Sequence, residues 1–465
     1  MTTTNLLFLE QLNNSGLIKD DRPNLPALAS FSPSEIIEFS RQALELTSPE
    51  RCPQETGSFS HSASLSLSGH RTPCSKLDCR LNEVNRLTQF AALYSDRVFI
   101  NNFMCDYLRH SHEDLPPPDQ SVIKRDFAED IAVVSSLIPF IREGIIVPIA
   151  PPSHCPRCLT AQVSLDKSDQ KRLDNALVRL TRRYSQDTTA TLTRLGDKYG
   201  VRVTGPESLL DHGAQGMIGT RPPKLSEFPR LAARIDAGEQ LTLSKMAIKK
   251  LQIDRHLAGQ VYQTVLFELA CAQCLKTMYL SDRQVEIDFI RGLNPDTRTS
   301  RNSDLVERHL TCLLPFLDDL SPADLLKLRS GEQESFILFR QALDQAIAEY
   351  RKSRATLSQQ DAKAIYQDII RPKLARIDLR MRTARKSLIK RASRKAIAWT
   401  AAISFGMYAG FVPTTLIAAA GALGLTKILA DLIQGLPSPG DVIDSIRTDE
   451  MYFLWKVRRA ARRTM

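Results

Sequence analysis

The chain has 465 residues, of which 43% are hydrophobic, 25% charged and only 6% aromatic. That length predicts two or three domains with sizeable cores, and the dominance of Leu, Ala and Ile over aromatics points to helices rather than a β-sandwich. The net charge of +10 is local, because residues 371–395 hold eleven Lys or Arg against the single acid Asp378.

The opening MTTTNLLFLEQLNNSG has no basic stretch and an early Glu10, unlike a secretory signal. Nine cysteines, an odd number, fit reduced thiols better than a disulfide framework. Both features predict a cytoplasmic body.

Residues 1–47 read as an N-terminal helical segment. Asn5 to Leu12 supplies a short apolar turn. Ser32-Pro33-Ser34-Glu35 then spells an N-cap, a proline at N1 and a glutamate at N3, so a helix is predicted from there to about Leu46. Residues 48–80 shift to Ser, Pro, Thr and Gly around SFSHSASLSLSG and are predicted to form a flexible loop with little to bury.

An α/β body is predicted over residues 81–293. Leu81, Val84, Leu87, Ala91 and Tyr94 recur at helical spacing, and RVFINNF follows as a short strand. Phe127, Ile131, Val134, Ile138 and Ile141 share one face of a longer helix, Gly144 ends it, and IIVPIA reads as a buried strand. Lys167 to Tyr199 is predicted to be mostly helical up to Gly200, with VRVTG a third strand and HGAQGMIGTRPP a Gly/Pro-rich connection. A long helical region is predicted from Ser244 to Leu280, with Ile248, Leu251, Leu257, Val261, Val265 and Leu269 facing inward. It resumes from Arg283 to Gly292, and Asn294 to Ser303 is a polar linker that marks a domain boundary.

The remainder is predicted to be helical. A domain spans residues 304–370, where Ser321-Pro322 opens a helix and Leu325, Leu328, Phe336, Phe339 and Leu343 form its buried stripe. Residues 371–396 form a basic amphipathic helix. Its apolar stripe is Leu374, Ile377, Met381, Ala384 and Leu388, and Arg376, Arg380, Lys390, Arg391 and Arg394 crowd the other faces. Residues 397–434 hold an apolar Ala/Gly-rich hairpin, and 441–465 a basic tail helix. The fold class is therefore mainly α with a small α/β portion in the N-terminal half.

Residues 397–426 contain no charge. Ala402, Gly406 and Gly410 form a small-residue ladder of the kind that lets helices approach closely in lipid. Pro413 divides the run into halves of about 16 and 13 residues, each short of the ~30 Å hydrocarbon core when helical. Basic residues on both flanks favour a re-entrant hairpin over a single span, and the only tryptophans, Trp399 and Trp455, flank it as interfacial anchors would. An Ala-rich helical hairpin buried inside a soluble domain is the competing reading.

Motifs for chemistry are sparse. Cys155-Pro156-Arg157-Cys158 is half of a zinc knuckle, and Cys74 and Cys79 are the pair available to complete it; the other Cys-x-x-Cys, Cys271 and Cys274, falls in an apolar helix and reads as core. Without a legible second pair, no metal or other cofactor is expected. Arg109 to Asp114 clusters two histidines and two acids before three prolines, where a solvated loop is the plainer account. Asp282, after TMYLS, stands where an acid of a PIN-like nuclease would, but RVFINNF has asparagines where another acid should be.

The expected function is a non-enzymatic bacterial effector with a membrane-active hairpin, toxin-like or anti-phage. Its expected partner is an anionic membrane surface, with inner-membrane association. The alternatives are a protein bound to a nucleic acid backbone (a degenerate PIN-like nuclease included) and a soluble helical scaffold with an unknown protein partner.

Overall fold

The computed structural model describes residues 3–48, 59–71, 74–111, 120–150, 167–196, 198–210, 213–219, 225–275, 277–281, 283–293, 321–353, 368, 370–393 and 446–464. The chain is mainly helical, with its sheets in the N-terminal half, and divides into two compact units, Met1–Glu307 and Arg308–Met465.

The first unit opens with helix α1 (Thr3–Asn14), which buries Phe8 and Leu12. Helix α2 (Pro33–Leu46) begins with a capping box. Ser32 accepts from the Glu35 backbone N–H, and the Glu35 carboxylate accepts from the Ser32 N–H at 2.7 Å. A four-stranded parallel sheet follows, built from β1 (Ser60–Ala63), β2 (Arg97–Asn101), β3 (Ile146–Ile149) and, far along the chain, β8 (Met278–Leu280). The order is β8-β1-β2-β3, so chain direction across the sheet reverses between β1 and β8. Helices α3 (Leu77–Leu93) and α4 (Gln120–Arg142) connect the first three strands. Phe127, Ile131, Val134, Ile138 and Ile141 of α4 are all buried, as their spacing predicts.

The reading of residues 48–80 as a flexible loop needs correction. Ser60 to Ala63 is an interior strand, paired in parallel on both sides and buried throughout. Its polar side chains have partners. Ser62 Oγ lies 2.6 Å from Thr277 Oγ1, and His61 Nδ1 lies 2.6 Å from Ser95 Oγ while the His61 ring packs edge-on against Phe90. Composition counts Ser and His as water-seeking, whereas hydrogen bonding removes the penalty of burying them.

A second core gathers around an antiparallel sheet, in which β4 (Thr189–Leu195), β5 (Lys198–Thr204), β6 (Ala214–Gly219) and β7 (Leu241–Thr242) lie in the order β6-β5-β4-β7. Helices α5 (Lys167–Asp187) and α6 (Ile253–Leu275) supply Leu173, Leu180, Tyr184, Leu257, Val261 and Val265 to it. Two expectations fail here. The helix from Lys167 ends at Asp187, because the Thr-rich segment after it alternates Ala190 and Leu192 inward in β4. The Gly-rich connection contains β6, whose backbone completes the ladder with β5. The Ser244–Leu280 helical region is likewise divided: Lys245–Lys250 is a short helix capped by Ser244, α6 follows, and Met278 to Leu280 form β8. Helix α7 (Gln284–Leu293) closes this unit.

The second unit contains α8 (Pro322–Gly331), α9 (Gln333–Ser353), α10 (Arg371–Ser393) and α11 (Tyr452–Thr464). Ser321 caps α8 through the Asp324 N–H at 3.2 Å. The core centres on Phe453 of α11, whose ring meets Phe336 at 5.4 Å and Phe339 at 5.8 Å. Leu325, Leu374, Ile377 and Met381 are buried with them, and Leu328 is half-buried.

Candidate anionic-surface site on two basic helices

Helix α10 carries nine Lys or Arg and one acid, Asp378; α11 carries five Lys or Arg and no acid. The two helices pack on each other; Leu374, Ile377 and Met381 are buried on one, and Tyr452, Leu454 and Trp455 on the other. Trp455 Nε1 donates to Asp378 Oδ1 at 2.6 Å, so the one acid of α10 is turned to its partner helix. Trp455 also stacks on Tyr452 at 5.7 Å and lies under the Arg459 guanidinium at 5.4 Å. Two ion pairs tie the first half of α10 to the turn before α11, Lys373 with Glu450 at 2.5 Å and Arg380 with Asp449 at 3.3 Å. Arg371, Arg376 and Arg382 are exposed.

The structure thus separates the expected site residues. Arg376 lies on the exposed face and Arg380 is part of an ion pair, while Lys390 and Arg391 fall in the C-terminal turns of α10. Arg394, Trp399, Gly406, Gly410 and Pro413 lie outside the described residues, as do Cys155, Cys158, His112 and Asp282. The expectation for Trp455 is corrected. It is only 3% exposed and packs inside the helical core, where its N–H has a carboxylate partner, instead of standing at an interface. Sequence reasoning did not pair α11 with α10; the signal was the apolar run Tyr452-Phe453-Leu454-Trp455 ahead of a basic stretch.

In the first unit, the C-terminal edge of the parallel sheet is where a nuclease would gather its acids. There, Asn102 is tied locally: its amide donates to Thr47 Oγ1 at 3.1 Å and its oxygen accepts from the Met104 N–H. Two glutamates that the sequence reading passed over, Glu268 of α6 and Glu286 of α7, meet beside β8. Glu268 accepts from the Leu65 N–H at 2.6 Å, and its other oxygen shares a hydrogen bond with the Tyr279 hydroxyl. Glu286 accepts from Tyr279 at 3.0 Å, from Ser281 at 2.6 Å and from Arg283. Both glutamates are buried, and their oxygens face protein donors. Among the described residues, no three His, Cys, Asp or Glu side chains group as metal ligands would. Cys271 is buried as expected of core, whereas Cys274 is exposed.

Burial first, and the Glu286 charge second, push the Glu268 carboxyl well above the ordinary carboxylate range. A carboxyl with a raised folded-state pKa stabilises the fold fully below its unfolded pKa of about 4.3, and that contribution is lost as pH rises through the folded value. The Glu268→Gln variant keeps an acceptor for Leu65 and cannot ionise. Its melting temperature is expected to exceed that of the wild type near pH 8 and to equal or fall below it near pH 5. Parallel melting curves for the two proteins across that range would refute this assignment.

No family model matches the chain, and no curated protein or solved structure is significantly similar to it.

Proposed function

We propose that this chain is a non-enzymatic, toxin-like effector that binds an anionic membrane through α10 and α11 and presents residues 397–426 to lipid. The observation that carries the reading is the packing of α10 on α11, the two helices that bracket the apolar segment. Because Trp455 is bonded to Asp378 and Lys373 to Glu450, the helices on either side of that segment belong to one folded unit. A single crossing of a ~30 Å core would put the ends on opposite faces. Ends that share one unit require the segment to enter and return on the same face, as a re-entrant hairpin does. Arg380, paired beside the return point, and Ser393, at the departure point, are about 20 Å apart along the helix. The cations of α10 would lie along the headgroups over that distance, each contributing about 1 kcal/mol near the surface. Among the described residues no helix is long and apolar enough to cross a membrane, so residues 397–426 are the lipid-facing element of this proposal.

Binding to a nucleic acid backbone is the second reading, since exposed cations alone suffice for phosphate contacts. It is weakened by Tyr452 and Trp455, the aromatics beside the cations, which are buried and unable to stack on bases.

The test uses the full chain with phosphatidylglycerol vesicles and two variants. Arg376→Glu/Arg382→Glu reverses two exposed charges and is expected to lower vesicle affinity by at least about tenfold with an unchanged melting temperature. Gly406→Asp is expected to keep vesicle binding and lose dye leakage, because a carboxylate at membrane depth costs roughly 2.5–3.5 kcal/mol. Absence of leakage from the wild type, or leakage undiminished by Gly406→Asp, would sink the membrane reading. Salt-steep binding to duplex DNA without vesicle binding would establish the second one.

A further inference from the structure

The parallel sheet brings two arginines to one cavity. Leu280 of β8 pairs with Ala63 of β1, so these neighbouring strands end side by side. They are also the pair at which the chain direction across the sheet reverses. In open α/β sheets such a reversal opens a crevice beyond the carboxyl ends of the strands, and ligands bind there. Arg71 follows the end of β1, and Arg283 follows the end of β8. Both line a cavity of about 300 Å³, at the lower end of the range for small-molecule sites. Its lining, among the described residues, contains no acid. Carboxylates outside the lining fix the guanidiniums: Asp126 and Glu129 at 3.2 Å and Asp130 at 3.0 Å hold Arg71, and Glu286 holds Arg283. These acids occupy both Nη atoms of Arg71, whereas its Nε is buried with no hydrogen-bond partner among the described residues. Helix α6 supplies another wall, where Leu257 and Val261 are apolar and Gln260 and Thr264 polar at helical spacing. Gln215 of β6 donates to Gln260 Oε1 at 3.1 Å. Gln263 and Thr264 make no side-chain hydrogen bond among the described residues.

We propose that this cavity binds a small organic phosphate of nucleoside-monophosphate size. The phosphate goes to the arginines, since guanidiniums are the donors that match its oxygens and no acid in the lining opposes it. The nucleoside suits the other walls. Three side-chain amides and a hydroxyl offer both donors and acceptors, and Leu257 and Val261 give a flat ring an apolar surface. The acids that fix Arg71 and Arg283 offset part of their charge, so hydrogen bonds and fit share the work with Coulomb attraction. Those same acids hold the guanidiniums in place before a ligand arrives, which lowers the ordering cost of binding. The cavity belongs to the first unit, and the membrane contact proposed above to the second, so the two assignments stand or fall separately.

The test titrates the full chain by calorimetry with AMP, GMP, CMP and UMP, with their parent nucleosides and with inorganic phosphate, each up to millimolar concentration. At least one monophosphate is expected to bind one to one, at least about tenfold more tightly than its nucleoside and than inorganic phosphate. Gln263 is exposed, so Gln263→Glu adds a carboxylate to the lining without disturbing the core. It should lower that affinity by at least about tenfold with an unchanged melting temperature, while the neutral Gln263→Met keeps most of it. The Arg376→Glu/Arg382→Glu variant should bind the nucleotide as the wild type does, which separates this cavity from the cations of α10. Nucleotide binding that is lost in that variant, or undiminished in Gln263→Glu, would overturn the proposal. So would a nucleoside or inorganic phosphate that binds as tightly as the monophosphate, or no binding by any of the monophosphates.

Discussion

Asp130→Ala is expected to destabilise the first unit by about 3–5 kcal/mol, the range for breaking a buried ion pair from one side. Asp130 is 3% exposed, and each of its oxygens is used. Oδ1 accepts from Arg80 at 2.5 Å and also meets Arg71, and Oδ2 accepts from the Tyr107 hydroxyl at 2.6 Å. Burial pushes this carboxyl up, while the two guanidiniums pull it back down. The larger liability is Arg80, which is 2% exposed and whose Nη1 already makes no hydrogen bond among the described residues. Its Nε donates to the Gly69 carbonyl at 2.7 Å, and its guanidinium sits 5.6 Å from the Phe103 ring centroid. Without Asp130 a buried cation would keep those contacts and lose its counter-charge. Asp126→Ala, which removes a partly exposed partner of Arg71, is the control and is expected to cost about 1 kcal/mol or less. Urea unfolding followed by circular dichroism should resolve the two. Equal losses for the two variants would show that Asp130 carries no special weight.

Gly69→Ala is the second large effect, expected at about 2–5 kcal/mol. Gly69 has φ +79°, a conformation that costs an L-residue roughly 1–2 kcal/mol. A Cβ there would lie 2.6 Å from Val133 Cγ1 and 2.6 Å from Val84 Cγ2. Both valines are buried, so neither can move aside without disturbing α3 or α4, and overpacking adds about 1–3 kcal/mol. Gly16→Ala separates the two terms. Gly16 has φ +70° with nothing within 4 Å of the added carbon, so only the backbone term of roughly 1–2 kcal/mol is expected. A Gly69 variant no less stable than the Gly16 variant would contradict the packing at the loop after β1.

What the amino-acid sequence determined by itself is local in origin. The capping box at Ser32 and Glu35, the cap at Ser321 and the five-residue stripe from Phe127 to Ile141 appear in the structure where their spacing places them. Helix caps and helical periodicity act within a few residues, so a window of sequence holds all their partners. The apolar stripe of α10 was legible for the same reason through Leu374, Ile377 and Met381. Tertiary structure alone decided the rest. Ser60 to Ala63 is an interior strand because Ser62 and His61 meet Thr277 and Ser95, and no local pattern announces such partners. Glu268 and Glu286 share Tyr279 only because α6 and α7 both return to the edge of β8. Arg71 and Arg80 become neighbours through one carboxylate on α4. Trp455 became a core residue when α10 supplied Asp378 to its N–H. In each case a polar group is buried because a distant residue satisfies it, and that pairing exists only once the chain has folded.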